Sequence, residues 1–456
     1  MKPALTILGA GCTGPLLAIL LARRGHTVRI YERRADARRN ALPAGRSINL
    51  ALAARGIAGL ERGGLMDAVQ PLLLPMQGRI VHDLSGPARF LPYGQRPHEL
   101  LWSVSRVALN ETLISAAERL GVEFHFEHAC EGADFGRGVL ELEDLAAGRR
   151  FEVPLAPVIG ADGAGSALRR AMVAAGLASA REEPLAHGYK EITIPAGAGG
   201  HHQLELGALH IWPRGGYMLI ALPNVDGTFT ATLFLTAAGA APSFATLTTP
   251  AAVEALFVSD FPAVHALVPD LVPQFFANPV GRMSTLYVAP WQAQGRALLV
   301  GDAAHCILPF HGQGMNCAFE DCRVIDDLLA AGADWPDAFA RFDALRRDDT
   351  AAIARMAIEN YTEMRDTVRE PGFALQKELS LELERRHPER FIPRFSMVMF
   401  HAEIPYAEAE RRGALQAAIL AAATRGCTRL AEVDYGRAAA AISARLPPLP
   451  VPAAPA

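Results

Sequence analysis

Six residues near the start of the chain, Gly9-Ala10-Gly11-Cys12-Thr13-Gly14, have the types and spacing to cradle a pyrophosphate. A glycine in the first place allows a tight turn. In the second it lets a phosphate approach the backbone, and in the third it lets a helix pack closely on a strand. Cys12 and Thr13 then lead into a helix whose unpaired N–H groups face the ligand. Glu32 lies 18 residues beyond Gly14, where a carboxylate can bind a ribose 2′-OH. Arg33 and Arg34 beside it suggest a 2′-phosphate site, but with Glu32 in place a plain ribose is the expectation. These residues alone do not separate FAD from NAD.

Two further aspartates follow apolar runs. Asp162 stands in Val158-Ile159-Gly160-Ala161-Asp162-Gly163, and Asp302 in Leu298-Leu299-Val300-Gly301-Asp302-Ala303-Ala304-His305. A carboxylate after a buried strand can accept hydrogen bonds from ligand hydroxyls. Gly312, Gly314 and Asn316 then permit bare backbone close to a flat ring. His305 and His311 have no carboxylate or cysteine set at diagnostic metal spacing around them, so no metal is expected. His201-His202 reads as a solvated turn. No G-x-S-x-G elbow is present, and no side chain is expected to act as a covalent or metal catalyst.

The elements that must position these groups begin with a βαβ unit: a strand at 4–8, a helix from Pro15 to Arg24 and a parallel strand at 27–31. An amphipathic helix is expected at 107–120, and alternating runs at 122–126, 137–143 and 150–153 suggest a β-meander. His210 to Pro213, Tyr217 to Leu222 and Phe229 to Leu235 read as strands, the last two joined across a turn at Asn224–Gly227. A strand at 297–300 returns to the nucleotide domain, helical periodicity dominates after Asn316, and there is no internal repeat. The fold class is therefore α/β: a Rossmann-like dinucleotide-binding domain, an inserted mainly β substrate domain and a helical C-terminal region. The expected divisions are 1–71, 107–185 and 291–345 for the nucleotide domain, 72–106 for a substrate-side segment and 186–290 for the inserted sheet. The helical region takes 346–445, and 446–456 forms a frayed tail.

The 456 residues can bury a large core, and 44 basic against 48 acidic residues give a formal charge of -4. That balance offers no electrostatic reason to expect nucleic acid or an anionic membrane as partner. Six cysteines, none in a CxxC pair, fit reduced thiols in a cytoplasmic protein. Cys317 and Cys322 read as packed thiols. The apolar run from Ala4 to Ala22 carries the nucleotide glycines rather than a signal peptide, and no later run reaches the roughly 18 apolar residues of a spanning helix.

The three nucleotide segments together resemble the group-A FAD-dependent aromatic hydroxylases. Within them, several segments resemble the kynurenine 3-monooxygenase family: Gly45-Arg46-Ser47-Ile48-Asn49-Leu50-Ala51-Leu52, Ser103-Val104-Ser105-Arg106, His187-Gly188-Tyr189-Lys190-Glu191, Leu209-His210-Ile211-Trp212-Pro213-Arg214, Pro309 to Asn316 and Phe391-Ile392-Pro393. The resemblance implies bound FAD, with NADPH and O₂ as cosubstrates and a flavin C4a-hydroperoxide that hydroxylates L-kynurenine at ring carbon 3, in tryptophan degradation. It implies FAD contacts from Gly9, Gly11, Cys12, Thr13, Gly14, Glu32, Arg33, Ala51, Arg106, Asp162, Asp302, Gly314, Met315 and Asn316. Arg79, Tyr93 and Asn360 would hold the substrate carboxylate, for which arginine supplies a planar two-pronged donor. Leu209, Met218, Ile220, Phe234, Phe310, His311 and Met364 would surround the aniline ring.

This chain departs from the pattern in three ways. Phe395 stands where members often have Tyr, which removes a hydroxyl from the carboxylate network. His311 stands where animal members have Phe, and no C-terminal membrane anchor is found. The expected protein is a soluble monomer or homodimer acting on a small aromatic amino acid. The alternatives are a flavin hydroxylase of another aryl acid, such as an anthranilate-like compound, and a non-catalytic flavin-binding protein. A halogenase lacks its WxWxIP motif here, and an NAD-dependent dehydrogenase leaves Asp162 and Asp302 without a joint explanation.

Overall fold

The computed structural model describes residues 4–39, 49–155 and 157–449. Gly45 to Ile48 of one quoted motif and the end of the tail lie outside the described residues. Four apolar residues, Leu5–Leu8, form the central strand of a six-stranded sheet. Its parallel neighbours are Val28–Glu32 on one side and Val158–Gly160 on the other. Glu123–Phe126 forms one edge, and on the other side Ala297–Leu299 is followed by the short antiparallel edge strand Gln292–Ala293, so segments far apart in sequence build one nucleotide-binding sheet. Strands buried on both faces read as continuous apolar runs, which is why these were legible. The helix Thr13–Arg23 covers the sheet with an almost fully buried face from Gly14 to Leu21.

One expectation fails here. The run at 122–126 does not belong to a meander but pairs in parallel with Val28–Glu32. The three-stranded meander consists instead of His128–Asp134, Val139–Asp144 and Arg149–Pro154. A two-residue period identifies a strand but not its partner, and Glu127, at φ 58°, ends one strand just before the next begins.

A seven-stranded sheet forms the second layer, in the order Gly281–Ala289, Ser179–Ile194, Phe229–Thr236, Met218–Pro223, Ala208–Pro213, Gly78–Val81, Arg89–Pro92. The hairpin across Asn224–Gly227 is present, with Met218 opposite Phe234. The strand from Ser179 starts ahead of the expected boundary at 186, and two strands come from the 72–106 segment. The insertion also carries three helices, Pro250–Asp260, Pro262–Leu267 and Leu271–Ala277. Phe257 and Phe275 on these helices, with Phe261 at the junction of the first two, bury the sheet face that carries Trp212, Leu219 and Leu233. Long helices follow, Gly314–Ala330 and Trp335–Arg365, the latter capped by Asp334, whose side chain accepts from the Asp337 N–H at 3.0 Å. No helix among the described residues is long and apolar enough to cross a membrane.

Buried charges join these layers. Asp321 Oδ2 accepts a hydrogen bond from the Gly301 N–H at 3.0 Å and lies 2.6 Å from His305 Nε2, while its Oδ1 accepts from Arg346 Nε at 2.9 Å. Burial pushes the Asp321 carboxyl up, but the charges of His305 and Arg346 prevail and hold it below the usual carboxylate range. Arg346 Nη1 also lies 2.8 Å from Glu320 Oε2, by proximity rather than in an aligned hydrogen bond. His305, Cys317 and Asp321 converge closely enough to suggest a metal site. Arg346 stands among them, 3.3 Å from the Cys317 sulfur, and both Asp321 oxygens already have partners. A cation there would meet a resident guanidinium. Replacing Arg346 with Met removes the cation that Glu320 and Asp321 share, leaving Arg55 and His305 as their side-chain partners, and the expected loss is about 3–5 kcal/mol of folding stability, measured by urea unfolding.

Candidate functional site

The described residues enclose a cavity of about 800 Å³ running from the glycine turn to the seven-stranded sheet. At one end, Gly9 takes φ 98°, and a Cβ there would lie 2.5 Å from the Ala161 carbonyl oxygen. A Cβ on Gly14 would fall 2.0 Å from the Gly9 carbonyl oxygen, so helix and turn touch as the spacing requires. A Cβ on Gly11, by contrast, would meet nothing within 4 Å, and Gly11 lines the cavity. The helix behind it has no acidic residue in its first turn and no side chain capping its N–H groups, which leaves the positive end of its dipole for an anion.

Glu32 is fixed by this turn. Its Oε2 accepts from the Ala10 N–H at 2.8 Å and its Oε1 from the Arg34 N–H at 2.9 Å, while the carboxylate lines the cavity. Asp162 binds the Ala167 N–H through Oδ2 at 2.8 Å, but its buried Oδ1 has no partner. Burial raises the pKa of that carboxyl. An orphaned acceptor beside an open glycine turn fits a hydroxyl-rich dinucleotide. The Cys12 thiol is pushed up to about 11 by burial, which leaves it an inert wall rather than a nucleophile. Thr13, Arg33, Ala51, Arg106, Asp302, Gly314 and Met315 line the same space. Asn316 and Gly14 do not. Asn316 is fully buried and acts as a clamp: its amide donates to the Ala51 and Gly312 carbonyls at 2.8 and 2.7 Å, and its oxygen accepts from the Ala53 N–H at 2.9 Å.

The other end of the cavity is built on strand register. Leu209 pairs with Arg79, Ile211 with Ile220, and Met218 with Phe234, so Arg79, Leu209, Ile220 and Phe234 project from one face. Met218 is wholly buried and packs against Phe234 outside the lining. Phe310 stacks on Tyr361 at 4.1 Å and meets Phe234 edge-on at 4.9 Å. Asn360 donates to the Phe310 carbonyl at 2.6 Å and lies one turn from Met364, and both line the cavity. Arg79 and Tyr93 are 5% and 3% exposed, and Tyr93 stacks on Phe395 at 5.3 Å. Arg79 is also 3.1 Å from Glu363 Oε1. Glu363 lies three residues after Asn360 on one helix face, a spacing readable from sequence but not noticed there.

Two rings at this end are neutral near neutral pH. Burial, then the Arg394 charge, lowers the His311 pKa to about 4, and its Nδ1 is buried without a partner. Burial pushes the Tyr93 hydroxyl up to about 12. The strand His128–Asp134, absent from the sequence reading, adds His128 to Glu131 to the lining near Glu32. The whole arrangement is one cavity with an anion-binding, hydroxyl-accepting end and an apolar end that terminates in a buried arginine.

The FAD binding domain family matches residues 2–186 and 265–334. Kynurenine 3-monooxygenase of Xanthomonas axonopodis pv. citri (strain 306) is 49% identical over 446 residues, covering 98% of each chain. Kynurenine 3-monooxygenase of Myxococcus xanthus (strain DK1622) is 47% identical over 448 residues, covering 98% of this chain and 96% of its own. Among solved structures, a tetrameric form of 2-methyl-3-hydroxypyridine-5-carboxylic acid oxygenase superposes with a TM-score of 0.66 at 21% identity, covering 84% of this chain and 98% of its own. A probable FAD-dependent monooxygenase from Pseudomonas aeruginosa gives 0.63 at 21% identity, covering 80% and 96%. At that identity these two speak for the fold alone. If the glycine turn is the pyrophosphate cradle, Gly14→Ala forces helix and turn apart, and the purified variant is expected to be colourless. Retention of bound FAD at the wild-type ratio, read from its visible absorbance, counts against that reading.

Proposed function

Because the chain belongs to the kynurenine 3-monooxygenase family of FAD-dependent hydroxylases, we infer that it hydroxylates L-kynurenine to 3-hydroxy-L-kynurenine with NADPH and O₂. The observation that supports this most directly is the buried Arg79 at the apolar end of a cavity whose other end suits a dinucleotide. When bound, FAD supplies the redox chemistry, taking a hydride from NADPH and activating O₂ for transfer to the ring. The residues that would hold it are Gly9, Gly11, Cys12 and Thr13 at the phosphates, Glu32 with Arg33 at the adenosine side, and Arg106, Asp162, Asp302, Ala51, Gly314 and Met315 along the remaining wall. Asn316 serves that wall indirectly, by clamping Ala51 and Gly312.

The chain's own contribution is orientation and exclusion of water. Arg79 receives the substrate carboxylate, with Tyr93 donating a hydroxyl that stays protonated at working pH. Asn360 fixes the turn that carries Phe310 and His311. Leu209, Ile220, Phe234, Phe310 and Met364 form the apolar sleeve of the aniline ring, and Met218 backs Phe234 from behind. The ring's amino group already donates electron density to the ortho carbon, so no strong protein base is required. A held carboxylate and a dry sleeve therefore account for most of what the protein must do. Phe395 contributes a ring face where a tyrosine would contribute a hydroxyl, and the neutral His311 completes that wall. The unpaired cysteines fit a reducing cytoplasm as the setting.

The test is NADPH oxidation in air with and without L-kynurenine, with the product identified by mass and regiochemistry. Formation of 3-hydroxykynurenine supports the reading, and unchanged oxidation rate and product sink it. Arg79→Ala removes a charge-assisted contact of about 1.5–3 kcal/mol, so KM for L-kynurenine is expected to rise about 10–100-fold, with more NADPH diverted to H₂O₂. An unchanged KM and coupling ratio would place the carboxylate elsewhere.

A further inference from the structure

A second cavity lies behind the turn that carries Asp302. It measures about 350 Å³ and is bounded by the strand Gly281–Ala289, the short helix Asp302–His305 and the long helix Trp335–Arg365. The two spaces meet at one segment of chain. Asp302, Pro309 and Phe310 line the larger cavity, Ala304 and His305 line the smaller one, and Ile307 alone lines both. A single buried aliphatic side chain is therefore common to the pocket and to the wall that FAD would occupy.

The chemistry of the pocket narrows its guest. Leu286, Val288, Ala304, Ile307 and Ala354 give it a buried aliphatic floor. The polar groups beside them are already engaged. Trp291 Nε1 donates to the Val288 carbonyl at 2.8 Å, the Thr350 hydroxyl donates to the Arg347 carbonyl at 3.1 Å, and His305 Nε2 lies 2.6 Å from Asp321 Oδ2. Arg347 and Asp348 are exposed where the pocket opens to solvent, and Arg347 is paired with Asp343 at 3.1 Å. A ligand that needs hydrogen bonds finds these contacts taken, whereas a small guest without polar groups forfeits nothing by entering.

The reaction supplies such a guest. With FAD along one end of the larger cavity and an aromatic ring in its sleeve, the packing that keeps water out also closes that path to a third reactant. We propose that the pocket behind Asp302 is a dioxygen-binding site and entry route, with Ile307 as the partition the gas crosses to reach the flavin wall. This rests on the reading above that the chain binds FAD and uses O₂. One rotamer change at Ile307 joins the two spaces for an apolar guest. Water gains no such passage, because in crossing an aliphatic wall it leaves its hydrogen bonds behind.

The experiment uses the FAD-loaded full chain and its A351F and A351S variants. Ala351 lines the pocket and not the larger cavity, so phenylalanine fills the pocket from the long helix while serine leaves it open. The flavin is reduced anaerobically with dithionite, L-kynurenine is added, and mixing with O₂ gives the second-order rate constant of reoxidation from the flavin absorbance. A351F is expected to lower that constant about 10-fold, with Kd for L-kynurenine and the rate of reduction by NADPH unchanged, and A351S to match the wild type. Crystals of the wild type under xenon pressure are expected to hold xenon beside Ile307, and those of A351F to hold none there. Wild-type reoxidation in A351F, losses of similar size in all three quantities, or a wild-type pocket without xenon overturn the proposal. A wild type that does not respond to L-kynurenine defeats the substrate reading alone, and the xenon result still decides the pocket.

Discussion

Two buried carboxylates on one helix turn, Glu320 and Asp321, hold the parts of this molecule in register. Asp321 grips the Gly301 backbone and His305 on one side and Arg346 on the other. Glu320 meets both Arg346 and Arg55. Arg55 continues the chain of contacts to the carbonyls of Val398 and Ile404 and lies over the Tyr406 ring at 3.8 Å. The turn bearing Asp302, the helix bearing Asn360 and Met364, and the C-terminal segment bearing Phe395 are thereby fixed relative to one another. Buried ions are poor sources of net stability, but their geometry is exacting, and a cavity assembled from distant segments needs that exactness more than it needs energy.

The cavity's two ends solve different problems. The glycine turn offers backbone N–H groups and a helix dipole with no competing side chain, which suits a phosphate, and Glu32 and Asp162 offer acceptors for hydroxyls. The far end is apolar except for its terminus, where neutral His311 and Tyr93 surround the charge of Arg79. On the proposed reading an aromatic amino acid would match that order, with its ring in the sleeve and its carboxylate at Arg79. The polarity of the cavity would then orient the substrate before any single contact is perfected.

Legibility followed sequence distance. The glycine turn, its helix and Glu32 lie within one βαβ unit, so pattern and spacing were sufficient to read them. Arg79, Tyr93, Asn360 and Phe395 come from a strand, a loop and two helices, and no local period joins them. Only the resemblance to a family brought them together as an expectation. The run at 122–126 was recognised as a strand but given the wrong partners, because alternation says which face is buried and not which sheet receives it. The Asp321–Arg346 pair was invisible for a related reason. A charged residue in a long helix reads as solvated until the tertiary partner that buries it is known.

The parallel pairing of Gly78–Val81 with Ala208–Pro213 also has a bearing on how the chain comes into being. During synthesis the earlier strand leaves the ribosome with only Arg89–Pro92 to pair with, and its other edge stays bare until 130 further residues, from position 78 to 208, have been made. At 5–20 residues per second that wait is about 10 seconds. The nucleotide sheet waits longer, since Val158–Gly160 lacks its outer neighbour until Ala297–Leu299 appears. A nascent chain with two incomplete sheets is a natural client for chaperones, and the yield of folded enzyme in a cell becomes sensitive to how well those open edges are shielded while translation proceeds.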